Sequence, residues 1–342
     1  MRIGILTGGG DAPGLNSILE SSSRCLLKAG HELLGIQDGF EGIFEVRHVP
    51  LTLEAVMGIH FHSGTLLGTS NKCGIKGREQ EFLEKYGKLK LDGLIVAGGD
   101  GTFSNLKPFV KEVPMIGVPK TIDNDLSGTD FTFGYDTACQ VVSEAVDSLR
   151  ATANAHRRII VVEAMGRTAG WIALGGGLAS YADAILIPER PFSRLDLLEF
   201  VKKKKASGQR GFLIVAAEGA HPQNEDTTVA FEVKGSPQSE RYGGIANMLA
   251  RWLEHETGWE ARHVVLGHLQ RARNPTTTDR FLTVNMGAMV ASLVNKKAWG
   301  QCVVYRNGRV TSAPVDELMG PARLVDPHHH WIKVSHELGT FI

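Results

Sequence analysis

The chain has no long apolar run, no excess charge of either sign and few cysteines. Lysine plus arginine number 37, and aspartate plus glutamate number 37. That balance lacks the basic footprint of a nucleic-acid binder, so no nucleic-acid partner is expected. No stretch approaches the roughly 20 apolar residues that a membrane-spanning helix needs. The apolar N-terminal stretch is too short and too rich in glycine for a signal peptide, so the expectation is a cytoplasmic protein with no membrane partner. Cys25, Cys73, Cys139 and Cys302 are scattered, with neither a CxxC metal spacing nor the density of a disulfide framework. They are expected as reduced thiols. A length of 342 residues suffices for one large or two medium cores.

Short apolar, β-rich runs alternate with longer amphipathic ones. Strands are expected at Arg2 to Thr7, Glu32 to Gln37, Leu94 to Ala97, Val113 to Val118, Arg158 to Glu163, Ala184 to Ile187, Phe212 to Ala217 and His263 to Gly267. Helical spacing is read at Leu15 to Lys28, Tyr135 to Thr152, Gly170 to Ala179 and Tyr242 to Glu256. This is an α/β pattern with mainly parallel sheets. The surroundings of Ser207-Gly208, the polar stretch His221 to Gln238 and the tail in the 320s read as loops or linkers.

Three loops carry the chemistry, each closing a strand. The first strand runs into Gly8-Gly9-Gly10-Asp11-Ala12-Pro13-Gly14, and a later one into Gly98-Gly99-Asp100-Gly101-Thr102. Glycine lets backbone N–H groups approach phosphate oxygens, and a following helix start favours an anion. Each cluster reads equally as a tight strand-to-helix turn, and neither matches the P-loop or the dinucleotide fingerprint. The third loop, Pro119-Lys120-Thr121-Ile122-Asp123-Asn124-Asp125, sets two carboxylates around an amide and near a hydroxyl. In an extended segment Asp123 and Asp125 share a face, where one carboxylate suits a metal and the other a proton; the plainer reading is an Asx-rich turn. Open parallel sheets bind ligands beyond the carboxyl ends of their strands, where these motifs fall.

In order along the chain stand Gly-Gly-Asp-Ala-Pro-Gly (9 to 14), Gly-Gly-Asp-Gly-Thr (98 to 102) and Thr-Ile-Asp-Asn-Asp (121 to 125). Then come Glu163-Ala164-Met165-Gly166-Arg167, Ala217-Glu218-Gly219 and Leu266-Gly267-His268-Leu269-Gln270-Arg271. From Arg2 to about Asp326 the chain thereby resembles the phosphofructokinases of the bacterial 6-phosphofructokinase fold. The resemblance implies two similar α/β lobes with the active site in the cleft between them. Residues 1–134 and 270–320 would form the donor-binding lobe, and 135–269 and 321–342 the sugar-phosphate lobe. It also implies phosphoryl transfer to the 1-hydroxyl of fructose 6-phosphate, assisted by Mg²⁺.

Carried over residue by residue, the resemblance makes Asp123 the general base. Thr121 would bond the moving phosphoryl group, and Asp125 would orient or act through the metal. Asp100 stands at the magnesium position, while Gly10, Gly101, Thr102 and Lys120 would line the donor. Arg158, Arg262, His268 and Arg271 match the grip on the 6-phosphate. The first two are supplied in the family by a neighbouring subunit, which implies a homodimer or homotetramer. Met165, Gly166 and Arg167 match the turn that contacts the sugar, Arg167 also counting as catalytic, and Glu218 a carboxylate that binds sugar hydroxyls.

Donor choice turns on two positions. Pyrophosphate users of the family commonly carry Asp where this chain has Gly101, filling the place of the nucleotide α-phosphate; they also carry Lys where this chain has Lys120. A steric veto outweighs one graded attraction, so ATP is the expected donor and pyrophosphate the alternative. Ala272-Arg273 replaces the family's usual pair of glycines, which leaves a related phosphosugar such as sedoheptulose 7-phosphate as another acceptor. Asn71 stands where an arginine reaches both substrates' phosphates, with Lys72 beside it. That departure motivates the reading as a weak sugar-phosphate-binding regulator. Glu20 replaces an effector-binding arginine. His328-His329-His330, read as a flexible tail, and the pair His60 and His62 lack the ligand number of a metal site.

Overall fold

The computed structural model describes residues 1–70, 74–232 and 240–342, with only the backbone described at 230–232 and 240–241. Asn71, Lys72 and Cys73, named above, lie outside the described residues. Two compact units divide the chain: Met1–Thr137 with Arg271–Ala322, and 138–232 with 240–270 and Arg323–Ile342.

Five apolar or mixed runs begin the first unit's sheet: β1 (Arg2–Thr7), β2 (Glu32–Ile36), β3 (His48–Pro50), β4 (Gly93–Gly98) and β5 (Met115–Pro119). The second unit carries β6 (Ile159–Ala164), β7 (Ala184–Leu186), β8 (Phe212–Ala217), β9 (Val229–Glu232), β10 (Glu240–Tyr242) and β11 (Ala261–Val265). The chain then returns to the first unit with β12 (Gln301–Arg306) and β13 (Arg309–Pro314). Seven strands pair in the order β13-β12-β5-β4-β1-β2-β3, parallel from β12 through β2 with antiparallel strands at both edges. β1 and β4 bury both faces, as parallel sheets covered on two sides must.

Alternate side chains explain the two layers. Ile3, Ile5, Ile95 and Ala97 point to one face, against Leu15, Ile18 and Leu19 of the helix Leu15–Lys28 and Met286 and Val290 of the helix Thr277–Asn295. Leu6, Leu94 and Val96 point to the other, against Phe82, Phe103 and Phe109. In the second unit the order is β11-β6-β8-β7, all parallel. Ile159, Val161, Phe212 and Ile214 there pack with Leu249 and Leu253 of the helix Ile245–Thr257 and Leu197 of the helix Arg194–Ala206. This is the α/β, mainly parallel class expected from sequence. Among the described residues no helix is long and apolar enough to cross a membrane.

Several local expectations are corrected. The expected strand at His263 to Gly267 begins earlier, at Ala261, because this edge strand has a mostly exposed face and little apolar alternation to mark it. The polar stretch from His221 is interrupted by β9, which pairs antiparallel with β10. The histidine tail is ordered. The His329 Nδ1 accepts from Trp331 N at 3.3 Å as the N-cap of the helix His330–Glu337, and its ring meets Trp171 edge-on at 5.2 Å.

Candidate active site

In the first unit the glycine loops are shaped by packing. Gly14, at φ 103°, begins the helix Leu15–Lys28 without a side-chain cap, and the first helical N–H, that of Leu15, is taken by the Ala12 carbonyl at 3.3 Å. A Cβ there would stand 2.9 Å from Phe133, which adds a second reason for glycine. Thr102 is buried. Its side chain is 4% exposed, and a Cβ on Gly8 or Gly98 would lie within 2.8 Å of it. Those two glycines therefore make room for the Thr102 side chain, which packs between the two loops. Asp100 is exposed as the first residue of the helix Asp100–Leu106 and accepts from Ser104 Oγ at 3.3 Å. Gly101 faces open space: a Cβ there would meet nothing within 4 Å.

Lys120 is 3% exposed, and its Nζ donates to the Gly10 carbonyl. Burial, and next the Arg271 charge, push it down to about 8, while Asp123, Asp11 and Asp125 pull the other way. The Arg271 guanidinium lies against Gly10 with Nη1 4.0 Å from Asp11 Oδ1. Two cations and several carboxylates thus surround one loop, and Asp11, absent from the residues singled out by sequence, belongs to the set.

The two-apart spacing of Asp123 and Asp125 works differently from expectation, because β5 ends at Pro119 and no strand runs through them. Asn124, at φ 53°, breaks the extended path between the two aspartates, and its Oδ1 accepts from Thr132 N at 3.0 Å. Asparagine tolerates that left-handed conformation better than most residues, which is the signal the sequence offered for it. The Thr121 hydroxyl accepts from Asp123 N at 3.0 Å and also bonds the Asp125 carboxylate. Burial, then the Asp123 charge, push the Asp125 carboxyl up to about 7. Its contribution to stability is therefore fully present below about pH 4 and lost as pH rises through about 7. Asp125→Asn is expected to flatten that dependence and raise Tm at pH 8; an unchanged Tm-versus-pH curve would contradict the repulsion.

The second unit carries the residues expected to contact the sugar at the carboxyl ends of its strands. Glu218 follows β8 and its Oε1 accepts from Arg167 N at 2.9 Å. Arg167 is held at φ 53° and Gly166 at φ 139°, so the Met165-Gly166-Arg167 turn uses glycine where an L side chain would be strained. A Cβ on Gly219 would collide with the Arg167 carbonyl, which fixes the turn against the Ala217-Glu218-Gly219 loop. Glu163, 4% exposed, accepts from Gly244 N and Ala246 N, each at 3.0 Å, and so caps the helix Ile245–Thr257. Sequence named Glu163 only as part of a motif.

The four 6-phosphate candidates fall into two pairs along the chain. Arg158 sits at the amino end of β6 and its Nε is 2.7 Å from Glu260. Arg262 pairs with the same Glu260 from the start of β11. The exposed His268 lies beyond the carboxyl end of β11, and a five-residue strand spans roughly 15 Å. Arg271 follows His268 by three residues, within the short helix Leu269–Ala272.

His60 and His62 do not converge. The His60 Nδ1 is 3.0 Å from the buried Glu20, whereas His62 gives its carbonyl to Asn16. Among the described residues, no group of three or more His, Cys, Asp or Glu is arranged to hold a metal ion by itself.

The phosphofructokinase family model matches residues 2–294. The chain is 39% identical over 355 residues to ATP-dependent 6-phosphofructokinase 2 of Clostridium perfringens, covering 99% of this chain and 97% of that one. It is 40% identical over 346 residues to a pyrophosphate–fructose 6-phosphate 1-phosphotransferase of Streptomyces coelicolor, covering 100% and 99%. The structure of phosphofructokinase from Saccharomyces cerevisiae superposes with a TM-score of 0.79 at 28% identity, over 93% of this chain and 45% of that longer one. The ordered motifs, the parallel α/β sheets and these likenesses agree: the chain belongs to the phosphofructokinase family.

Proposed function

We propose that this chain is an ATP-dependent 6-phosphofructokinase, transferring the terminal phosphoryl group of ATP in line to the 1-hydroxyl of fructose 6-phosphate to give fructose 1,6-bisphosphate. The open space beside Gly101 carries the choice of donor: nothing there blocks the bulk of a nucleotide. Phosphoryl transfer asks a protein for alignment and charge stabilisation rather than covalent help. Asp123 is assigned as the base that accepts the hydroxyl proton, with Thr121 and Asp125 fixing its surroundings. The first unit thereby supplies the donor loops and the base. Met165, Gly166, Arg167, Glu218 and His268 of the second are assigned to the sugar phosphate.

A single exposed carboxylate is a poor cage for a free metal, but it fits Mg²⁺, which is held by one or two carboxylates together with substrate phosphates. Asp100 is assigned that role, near enough to Asp125 for their charges to interact. Bound there, Mg²⁺ would neutralise charge on the donor phosphates.

Pyrophosphate as donor is the second reading, favoured by Lys120 and by the Streptomyces coelicolor relative's name. Against it, Lys120 is buried and already bonded to the Gly10 carbonyl. Turnover of fructose 6-phosphate and Mg²⁺ with ATP, measured against pyrophosphate, tests the choice.

The roughly 15 Å between Arg158 and Arg262 at one end of their strands and His268 at the other is too far for one phosphate. This supports a homo-oligomer in which a second copy brings the two arginines to the acceptor. Mixing two separately inactive variants, Arg158→Ala and Asp123→Asn, should then restore activity, because hybrids regain one intact site. No recovery on mixing, after exchange of subunits is demonstrated, would place both functions within one protomer.

A further inference from the structure

We propose that Thr132 is a positioning residue for the phosphoryl transfer, its buried hydroxyl and amide tying Thr121 to Asn124 and so fixing the loop that carries Asp123. This rests on the reaction proposed above and adds to it a residue outside the loop itself.

The ladder hydrogen bonds of β5 stop at Lys120, whose N–H donates to the Gly98 carbonyl at 2.9 Å. Beyond that point the loop is supported by the segment that enters the helix Tyr135–His156. Phe133 makes an isolated parallel bridge with Lys120. Thr132, one residue earlier, reaches both ends of the turn. Its hydroxyl donates to the Thr121 carbonyl at 2.8 Å and lies 3.3 Å from Asn124 Oδ1, while its N–H donates to that same Oδ1 at 3.0 Å. Thr132 is 0% exposed and Asn124 2%, so water does not replace a partner lost here.

Both anchored residues bear on the carboxylates. The Thr121 hydroxyl accepts from Asp123 N and bonds Asp125, and holding the Thr121 carbonyl fixes the planar peptide that leads on to Ile122 and Asp123. Asn124 stands between the two aspartates in the left-handed region, a conformation that its bonded side chain helps to hold. The support is itself held by packing. Gly134, at φ 94°, lies so close that a Cβ there would stand 3.0 Å from Ala12 and 3.1 Å from Ile122. A general base must sit within hydrogen-bond reach of the proton it takes, and a misplacement of about 1 Å can cost about a hundredfold. Buried behind the loop, Thr132 is out of a substrate's reach, so its loss should fall on the chemical step and not on binding.

Thr132→Val keeps the side-chain volume and removes the hydroxyl. It is expected to lower kcat by about tenfold to a hundredfold, with KM for ATP and for fructose 6-phosphate within about twofold of wild type. Calorimetric titration with Mg·ADP should show undiminished stoichiometry, so that the loss is per folded site, and hydrogen exchange over residues 121–125 should quicken. Thr132→Ser, which returns the hydroxyl, should return kcat to near the wild-type value. Asn124→Gly accepts the left-handed backbone but removes Oδ1; it should lower kcat in the same way, and it decides the matter if thermal melting shows Thr132→Val unfolded. A folded Thr132→Val with wild-type kcat, a rise in either KM with kcat unchanged, or a Thr132→Ser as slow as Thr132→Val overturns the proposal. Wild-type protein that turns over with neither ATP nor pyrophosphate would contradict the reaction instead. Hydrogen exchange then still decides the role of Thr132, unchanged exchange over 121–125 in Thr132→Val refuting it.

Discussion

Asp123→Ser is expected to lower kcat by about a hundredfold or more, the usual cost of removing a general base. The loss should fall on kcat with little change in the affinity for either substrate, because the carboxylate is assigned to the hydroxyl proton and not to binding. The surroundings favour that assignment. Thr121 receives the Asp123 N–H, Asn124 turns the loop, and Asp125, pushed up to about 7 by burial and then by Asp123, resists carrying a second charge beside it. A serine keeps the loop small and polar, so a folded variant that turns over near the wild-type rate would remove the mechanism while leaving the family assignment untouched.

Gly101→Asp is expected to cut kcat/KM for ATP by about a hundredfold, since like charges forced together cost several kcal/mol. The substitution should fold well: a Cβ at this position meets nothing within 4 Å, and the residue is exposed on the helix Asp100–Leu106. Its effect would come from placing a carboxylate in space reserved for the nucleotide. Turnover with pyrophosphate, which has no α-phosphate to displace, should be spared. Unchanged ATP kinetics would mean that the donor does not pass Gly101 at all.

Much of this architecture could be read from the chain. Strands β1 and β8 and the helix Leu15–Lys28 fall on the expected residues, because buried parallel strands are continuous apolar runs and the helix shows a clear amphipathic period. The β12–β13 hairpin went unread although its signal was present. Asn307 and Gly308, at φ 51° and 78°, form the two-residue turn that asparagine–glycine pairs favour. Thr102 shows the limit of motif reading: it sits in a loop expected to bind phosphate, yet its side chain is buried against two glycines, which only three-dimensional packing reveals. The closeness of Arg271 to Gly10 and Asp11 is likewise illegible in the chain, since residues 10 and 271 come together through a return of the chain that no local pattern encodes. The carboxylate loop was found for a partly mistaken reason. Asp123 and Asp125 interact across Asn124, which is held in the left-handed region, and not along an extended strand.

The most direct test of the central claim is steady-state kinetics of the purified protein with fructose 6-phosphate and Mg²⁺, using ATP and pyrophosphate in otherwise identical assays. The open space at Gly101 and the buried, bonded Lys120 predict a kcat/KM for ATP well above that for pyrophosphate. Turnover with pyrophosphate alone would contradict the account, making Lys120 rather than Gly101 the residue that decides the donor.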